Sequence, residues 1–437
     1  MTEKNNLINN LLYLFYLVFL VSVAGAFRAI SSIAIGLILI TGFLKNKTDT
    51  GSWFNIGLRN RYLAACSLFF LLQLIPLVYT SNFIESWKHV QVKSALLFIP
   101  LCFYNCSYVN KARFHSLMTA YIYALVVLLT WCLATAFINY YFHAPITVFF
   151  YHQLVSDLGH HAVQFSILIF AGIIFLLHIA TQGRYLVNRA IHFLLTAYLT
   201  GGILLLSSKL VIIFLLGYLV YYLFISLQKN VNTRWAITVV AVTGMLFSSI
   251  ILFTQNPVSR RFNDIMHGNI GIIQQPSFGP AYYFNGVQFR LLQWRFVKEI
   301  MQENKAWLWG VLPANAQTLL NQKYLSTHMY TGEPGSTDHG FLGYNTHNQF
   351  LEALLQTGII GLICFMVICF EMIYLAVKQK SRLLSALVIL LIAYSFSESI
   401  FETQYGLILF TFFPLFFYFG QGEGKGGKGQ QTQPVVL

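Results

Sequence analysis

Polar residues along this chain are confined to short interruptions between long apolar runs, and the length of those runs decides the element type. A helix needs about 20 apolar residues to cross about 30 Å of hydrocarbon. The sequence supplies runs of that kind at roughly 8–26, 29–44, 62–80, 94–109, 116–142, 162–181, 190–207, 210–228, 235–253, 349–375, 383–397 and 404–420. They are unbroken, as from Ala162 to Thr181, unlike the short alternating segments of a β-barrel. In lipid a helix satisfies its own backbone groups. The pattern therefore predicts an all-α polytopic membrane protein of about twelve spans. The breaks at Arg28, at Lys209 and near Glu398 each rest on one or two polar residues.

Composition strengthens this reading. Of 437 residues, 57% are hydrophobic and 9% charged, with a mean hydropathy of +0.64, which excludes a soluble globular or disordered chain. The net charge of +13 acquires meaning from its distribution. With a cytoplasmic N-terminus, the loops expected inside carry Lys45, Lys47, Arg59, Arg61, Lys111, Arg113, Arg184, Arg189, Lys229, Arg234, Lys378, Lys380 and Arg382, thirteen in all. The short outer loops carry four, Arg28, Lys88, Lys93 and Lys209. This asymmetry predicts that both termini are cytoplasmic. No nucleic-acid-binding motif surrounds the basic residues, so the expected partners are anionic lipid headgroups and anionic substrates, with no nucleic acid. All six cysteines fall inside apolar runs and read as small packing residues. The opening MTEKNNLINN leads into an apolar run without a small-residue cleavage site, which reads as a retained first span.

One connection differs from the others. Residues 254–345 separate the expected spans 1–253 from those of 346–420, on the outer side, and 421–437 reads as a disordered cytoplasmic tail. Within the long loop, Val287, Leu291, Trp294, Val297 and Met301 recur at helical spacing behind Asn285 as a cap, and Ala314 to Leu325 predicts a second, shorter helix. Five Gly and Pro residues in Ser326 to Gly343 mark a loop able to close over a site. The whole loop has the composition of a small, mostly helical cap.

The densest polar cluster beside a span is Gly343-Tyr-Asn-Thr-His-Asn-Gln-Phe-Leu-Glu352. Capping by Asn345 or Thr346 would put His347 in the first helical turn, where the positive end of the helix favours neutral imidazole, the form a general base needs. Plain capping at the interface by His347 and Asn348 is the alternative. Arg290 and Arg295 on the expected cap helix could grip a phosphate with paired hydrogen bonds, or form a solvated face. Lys209, set in apolar sequence after Ser207-Ser208, either meets a phosphate or snorkels to the interface. His160 and His161 before the sixth span, and Glu398 and Glu402 spaced one helical turn apart, could line a cavity or serve as anchors. Asp338, His339 and His347 lack a compact metal-ligand spacing, so no metal is expected.

His347-Asn348, nine residues, then Gly358-Ile-Ile-Gly361 resembles the His-Asn-x9-Gly-x-x-Gly signature of the O-antigen ligase superfamily. Its position where the long outer loop meets the next span, and the twelve-span plan, are similar too. Arg290-x3-Trp294 resembles that family's Arg-x3-Trp helix, and Trp309-Gly310 its Gly turn. Many relatives carry Arg after Ser in the span preceding the loop region, where this chain has Ser208-Lys209. The resemblance implies a bacterial inner-membrane glycosyltransferase without cofactor. It would move a finished glycan from undecaprenyl diphosphate to an acceptor hydroxyl at the periplasmic face, lipid A-core for a ligase. His347 would take the acceptor proton, and Arg290 with Lys209 or Arg295 would hold the diphosphate, while Asn348, Trp294, Gly358 and Gly361 support the motif. A single displacement implies inversion at the sugar carbon. An O-antigen or exopolysaccharide polymerase and a protein O-glycosyltransferase share this fold; a transporter or lipid flippase is the expectation from a different class.

Overall fold

The computed structural model describes residues 2–54, 60–78, 80, 82–228, 269–333, 335 and 338–422. The expected span at 235–253, the start of the long loop and the tail from residue 423 lie outside the described residues. Among the described residues every regular element is helical. These are α1 (Thr2–Ala24), α2 (Arg28–Thr50), α3 (Arg61–Leu74, prolonged by a 3-10 turn, Ile75–Val78), α4 (Phe83–Lys93), α5 (Ala95–Tyr104), α6 (Lys111–Tyr141), the single turn α7 (Tyr151–Leu154), α8 (Ala162–Thr181), α9 (Arg189–Leu205), α10 (Lys209–Gln228), α11 (Gly286–Glu303), α12 (Pro313–Ser326), α13 (Gln349–Gln379), α14 (Arg382–Ser395) and α15 (Gln404–Gln421). Seven of them, α1, α2, α3 with its 3-10 turn, α6, α8, α10 and α13, are long and apolar enough to cross a membrane, and α9 and α14 are shorter apolar helices. The chain is a polytopic helical membrane protein.

Asparagine and serine side chains start several of these helices. Asn110 accepts from the Arg113 amide at 3.0 Å, Asn188 from Ile191 at 2.9 Å, and Ser381 from Leu384 at 3.0 Å. Helices α8 and α15 are apolar on nearly every face and are buried along almost their whole length, so they form the centre of the bundle. Phenylalanine fills the space around them: Phe412 meets Phe19 at 4.4 Å and Phe103 at 5.3 Å between ring centroids, and Phe114 meets Phe416 at 4.9 Å. The run at 94–109 contains only the ten-residue α5, joined through Ser94 to α4.

Helices α11 and α12 build the cap around a second core of Phe289, Leu292, Phe296, Ile300, Leu320 and Tyr324. Asn285 starts α11 with a full capping box to Gln288. The expected stripe holds in the second half of α11, where Val297 and Met301 are buried, but Val287, Leu291 and Trp294 are half-buried, while Phe289, Leu292, Phe296 and Ile300 lie inside with Gln288 and Gln293. The aromatic rings take the core, and the side-chain NH2 groups of the two glutamines find acceptors there, Gln288 in the Asn269 carbonyl at 2.9 Å and Gln293 in the Tyr324 hydroxyl at 3.1 Å and the Asn345 carbonyl.

The cap is fastened to the bundle at a break in α13. Gly358 has φ +67° and ψ −164°, a backbone conformation open essentially to glycine alone. The cap loop enters the gap, with Ile359 N donating to the Trp307 carbonyl at 2.9 Å and Val311 N donating to the Leu355 carbonyl at 2.8 Å. Backbones approach so closely that a Cβ at Gly358 would strike the Leu308 carbonyl, and one at Gly310 (φ +72°) would lie 2.5 Å from Gln356 C and Thr357 N. From Ile359 to Gln379 the helix is about 32 Å long at 1.5 Å per residue, the thickness of a bilayer's hydrocarbon. Large exposed apolar side chains on α13, Ile359, Ile363, Phe370 and Val377 among them, all follow the break. Gly361 keeps helical geometry one turn later and packs against Thr357 and Ala353 of its own helix. Gly358→Ala is expected to destabilise the fold by about 1–3 kcal/mol from backbone strain alone, with the steric conflict added, and thermal unfolding in detergent or nanodiscs would read it as a lowered Tm.

Candidate active site

The segment before α13 takes a different local form from the expected one. Asn348 is the N-cap, its side-chain oxygen accepting from Phe350 N at 2.9 Å and Leu351 N at 3.2 Å. His347 therefore precedes the helix instead of sitting in its first turn. Its φ of +46° is left-handed, a conformation that costs an L-residue about 1–2 kcal/mol. Asn345 Oδ1 accepts from its amide at 3.1 Å. Phe289 and Tyr344 pack against the ring, with centroids 6.1 and 5.6 Å away.

Opposite the imidazole stands Glu398, from the turn between α14 and α15. His347 Nδ1 lies 3.0 Å from Glu398 Oε2. A carboxylate only accepts, so Nδ1 carries the hydrogen and Nε2 carries the lone pair in the neutral ring. The other oxygen of the same carboxylate accepts from Arg290 Nη2 at 3.1 Å. Arg290 also donates through Nε to the Ser397 carbonyl at 3.0 Å and through Nη1 to the Gly286 carbonyl at 2.9 Å. Imidazole, carboxylate and guanidinium thus come from three distant parts of the chain, each side chain about one fifth to one third exposed. Burial pushes the Glu398 carboxyl up, but the hydrogen bond and charge of His347 and the charges of Arg290 and His161 outweigh it and hold the group below its ordinary value of 4.5.

The other expected site residues are placed as follows. Arg295 is five positions beyond Arg290, about 140° around the helix, where it donates to Glu299 at 2.7 Å and to the Ile273 and Gln275 carbonyls at 2.6 and 2.7 Å. It ties α11 to the preceding loop and does not join the His347 group. Lys209 is the half-buried first residue of α10, after a turn in which Ser207 is left-handed (φ +49°). Trp294 is half-buried on α11. His160 is buried and donates through Nε2 to the Val23 and Ala24 carbonyls at 3.1 and 3.0 Å, and burial pushes its pKa down to about 4. It anchors the start of α8 to the last residues of α1. His161 packs edge-on against His152 and lies close enough to Glu398 to act on its charge.

Glu398 and Glu402 do not share a helix face. Helix α14 ends at Ser395, and the chain then turns, sending Glu402 to a different cluster. There it pairs with Lys93 Nζ at 3.2 Å and His89 Nδ1 at 3.5 Å, which bring its pKa well below the ordinary carboxylate value in spite of burial. Lys93, Glu352, Gln356 and Ser399 form a buried polar group under His347 that the sequence did not single out. One signal was available: charged groups inside apolar runs are costly, an argument that applies to Lys93 and Glu352 as it does to Lys209. Among the described residues no three His, Cys, Asp or Glu side chains are grouped as a metal site.

The depressed pKa of Glu398 fixes the sign of a pH effect. Its contribution to stability is present above the ordinary value of 4.5 and is lost as pH falls through the lower folded-state value. The Tm of the wild-type protein should thus fall more steeply than that of Glu398→Gln as the pH is taken from 6 to 3, and parallel curves would remove the assignment.

Residues 194–366 match the family model described as O-antigen ligase. No curated protein matches the chain. The matched stretch runs from α9 through the cap into α13 and holds Lys209, Arg290, Trp294, His347, Asn348, Gly358 and Gly361, while Glu398 lies beyond it. Over this stretch the chain is similar to the O-antigen ligase-like superfamily.

Proposed function

We propose that the protein is an O-antigen ligase that transfers a glycan from undecaprenyl diphosphate to a hydroxyl of lipid A-core. In this reading it lies in the bacterial inner membrane with about twelve spans and both termini in the cytoplasm, and the site faces the periplasm under a cap formed within 254–345. The observation that carries the chemistry is the Glu398 carboxylate, which holds His347 on one oxygen and Arg290 on the other.

Transfer to a hydroxyl needs a base for the incoming oxygen and stabilisation for the departing diphosphate. With Nδ1–H turned to Glu398, His347 Nε2 accepts the hydroxyl proton. The oxygen then bonds to the anomeric carbon as the bond to the diphosphate oxygen breaks, and that oxygen keeps the electron pair. Glu398 stabilises the imidazolium that forms. Arg290 supplies positive charge next to the base, at the place where diphosphate charge increases, with Lys209 as the second cation of the proposal. One displacement of this kind inverts the sugar carbon, and it uses neither nucleotide sugar nor metal.

The test is transfer by the purified protein from glycan-loaded undecaprenyl diphosphate, with and without lipid A-core. His347→Ala is expected to lower turnover by about 10²–10⁴-fold, and Glu398→Gln by about 10-fold or more, because the ring loses its orienting carboxylate. Arg290→Ala should lower it as well. Glycan found on lipid A-core supports the ligase. Longer glycans still on undecaprenyl diphosphate would make the protein a polymerase, glycan on protein hydroxyls an O-glycosyltransferase, and donor crossing vesicles without a glycosidic product a transporter. Turnover that survives loss of His347 would remove the mechanism.

A further inference from the structure

Beneath His347 runs a chain of buried polar groups that the transfer chemistry does not itself use. Glu352, on the first turn of α13 and 3% exposed, accepts four hydrogen bonds. Its Oε2 receives Thr346 N at 3.2 Å, Thr346 Oγ1 at 2.7 Å and Ser399 Oγ at 3.3 Å, and its Oε1 receives Gln356 Nε2 at 2.7 Å. Gln356 Oε1 in turn accepts from Lys93 Nζ, which is 1% exposed, donates to Gln73 at 3.3 Å and pairs with Glu402 at 3.2 Å. The near end of the chain grips both neighbours of His347: Thr346 through Glu352, and Asn348 through its amide on Ser399 Oγ at 3.3 Å. Lys93 ends α4, which packs against cap helix α12 and against the turn that carries Glu402.

Stability alone does not account for this arrangement. Buried ion pairs are often replaceable by apolar side chains with no loss of stability, and the surrounding bundle is apolar. What such a network does supply is a fixed geometry. His347 has a left-handed backbone, a conformation that persists only where the surroundings over-determine it, and the chain ends on the residues to either side of it.

We propose that Lys93 is a positioning residue for His347, acting through Gln356 and Glu352 to fix the backbone at Thr346 and Asn348. Helix α4 is thereby tied to the base that acts on the acceptor hydroxyl, so the catalytic part of this inference rests on the function proposed above, whereas its structural part does not.

Two variants separate the link from the fold. Gln356→Leu cuts the connection while leaving the Lys93–Glu402 pair in place, and Lys93→Met with Glu402→Gln removes both charges together. Hydrogen exchange at the Thr346 and Asn348 amides is expected to quicken by about 10-fold or more in either folded variant. Turnover should fall by about 10–100-fold, with KM for undecaprenyl-diphosphate glycan changed by less than about 2-fold. Unchanged exchange at both amides overturns the proposal. So does an activity loss carried by KM with kcat preserved, which would assign the network to donor binding. If the wild-type protein makes no glycosidic product, the functional reading fails and exchange alone decides the positioning claim.

Discussion

A carboxylate has two oxygens, and in this protein the two hold different partners. Glu398 orients an imidazole with one and a guanidinium with the other, so the ring and the positive charge keep a fixed separation without touching. Everything else at the site follows from the need to bring that carboxylate to His347. Helix α14 must stop at Ser395 so that the chain can turn towards the cap, α11 must present Arg290 from the opposite side, and the residue before α13 must take a left-handed backbone to aim its ring at the turn. A helical His347, as expected from the sequence, would lack this last feature.

The surrounding architecture resolves a conflict between site and solvent. Charged and amide side chains are costly where the bundle is apolar, yet Lys93, Glu352 and Gln356 lie buried there, with the partly buried Glu402 beside Lys93. They are tolerated because each finds partners among the others, so the cost of each depends on the presence of the rest. Neutralising one member alone therefore differs physically from neutralising a pair.

How much of this was legible in the sequence depends on the range of the interactions involved. The apolar runs gave α8 with both ends correct and α13 closely, since a span is determined by its own residues. Asn285 and the helix at Ala314 were readable for the same reason, being local signals. The buried face of α11 was readable only at Val297 and Met301, because the stripe beginning at Val287 and the one beginning at Phe289 have nearly equal apolar content and only the opposing surface chooses between them. Likewise, Glu398 and Glu402 have the spacing of one helical turn, but the turn does not exist, and their true partners are 51 and 309 residues away in His347 and Lys93. Local motifs singled out His347 and Arg290, which the fold brings to one carboxylate, while that carboxylate, Glu398, was only one of several weaker candidates.

The interruption of α13 at Gly358 has a consequence for evolution and engineering alike. The cap loop clamps the helix there, and Asn348 caps it ten residues earlier, so the intervening segment behaves as a spacer of set length and set rotation between two fixed points. Each residue added or removed would shift the imidazole by about 1.5 Å in height and swing it by about 100° around the axis, away from a carboxylate that cannot follow. Beside the identities of Glu352 and Gln356, this segment must therefore keep its number of residues: an insertion or deletion between Asn348 and Gly358 would turn the site out of phase with the rest of the protein.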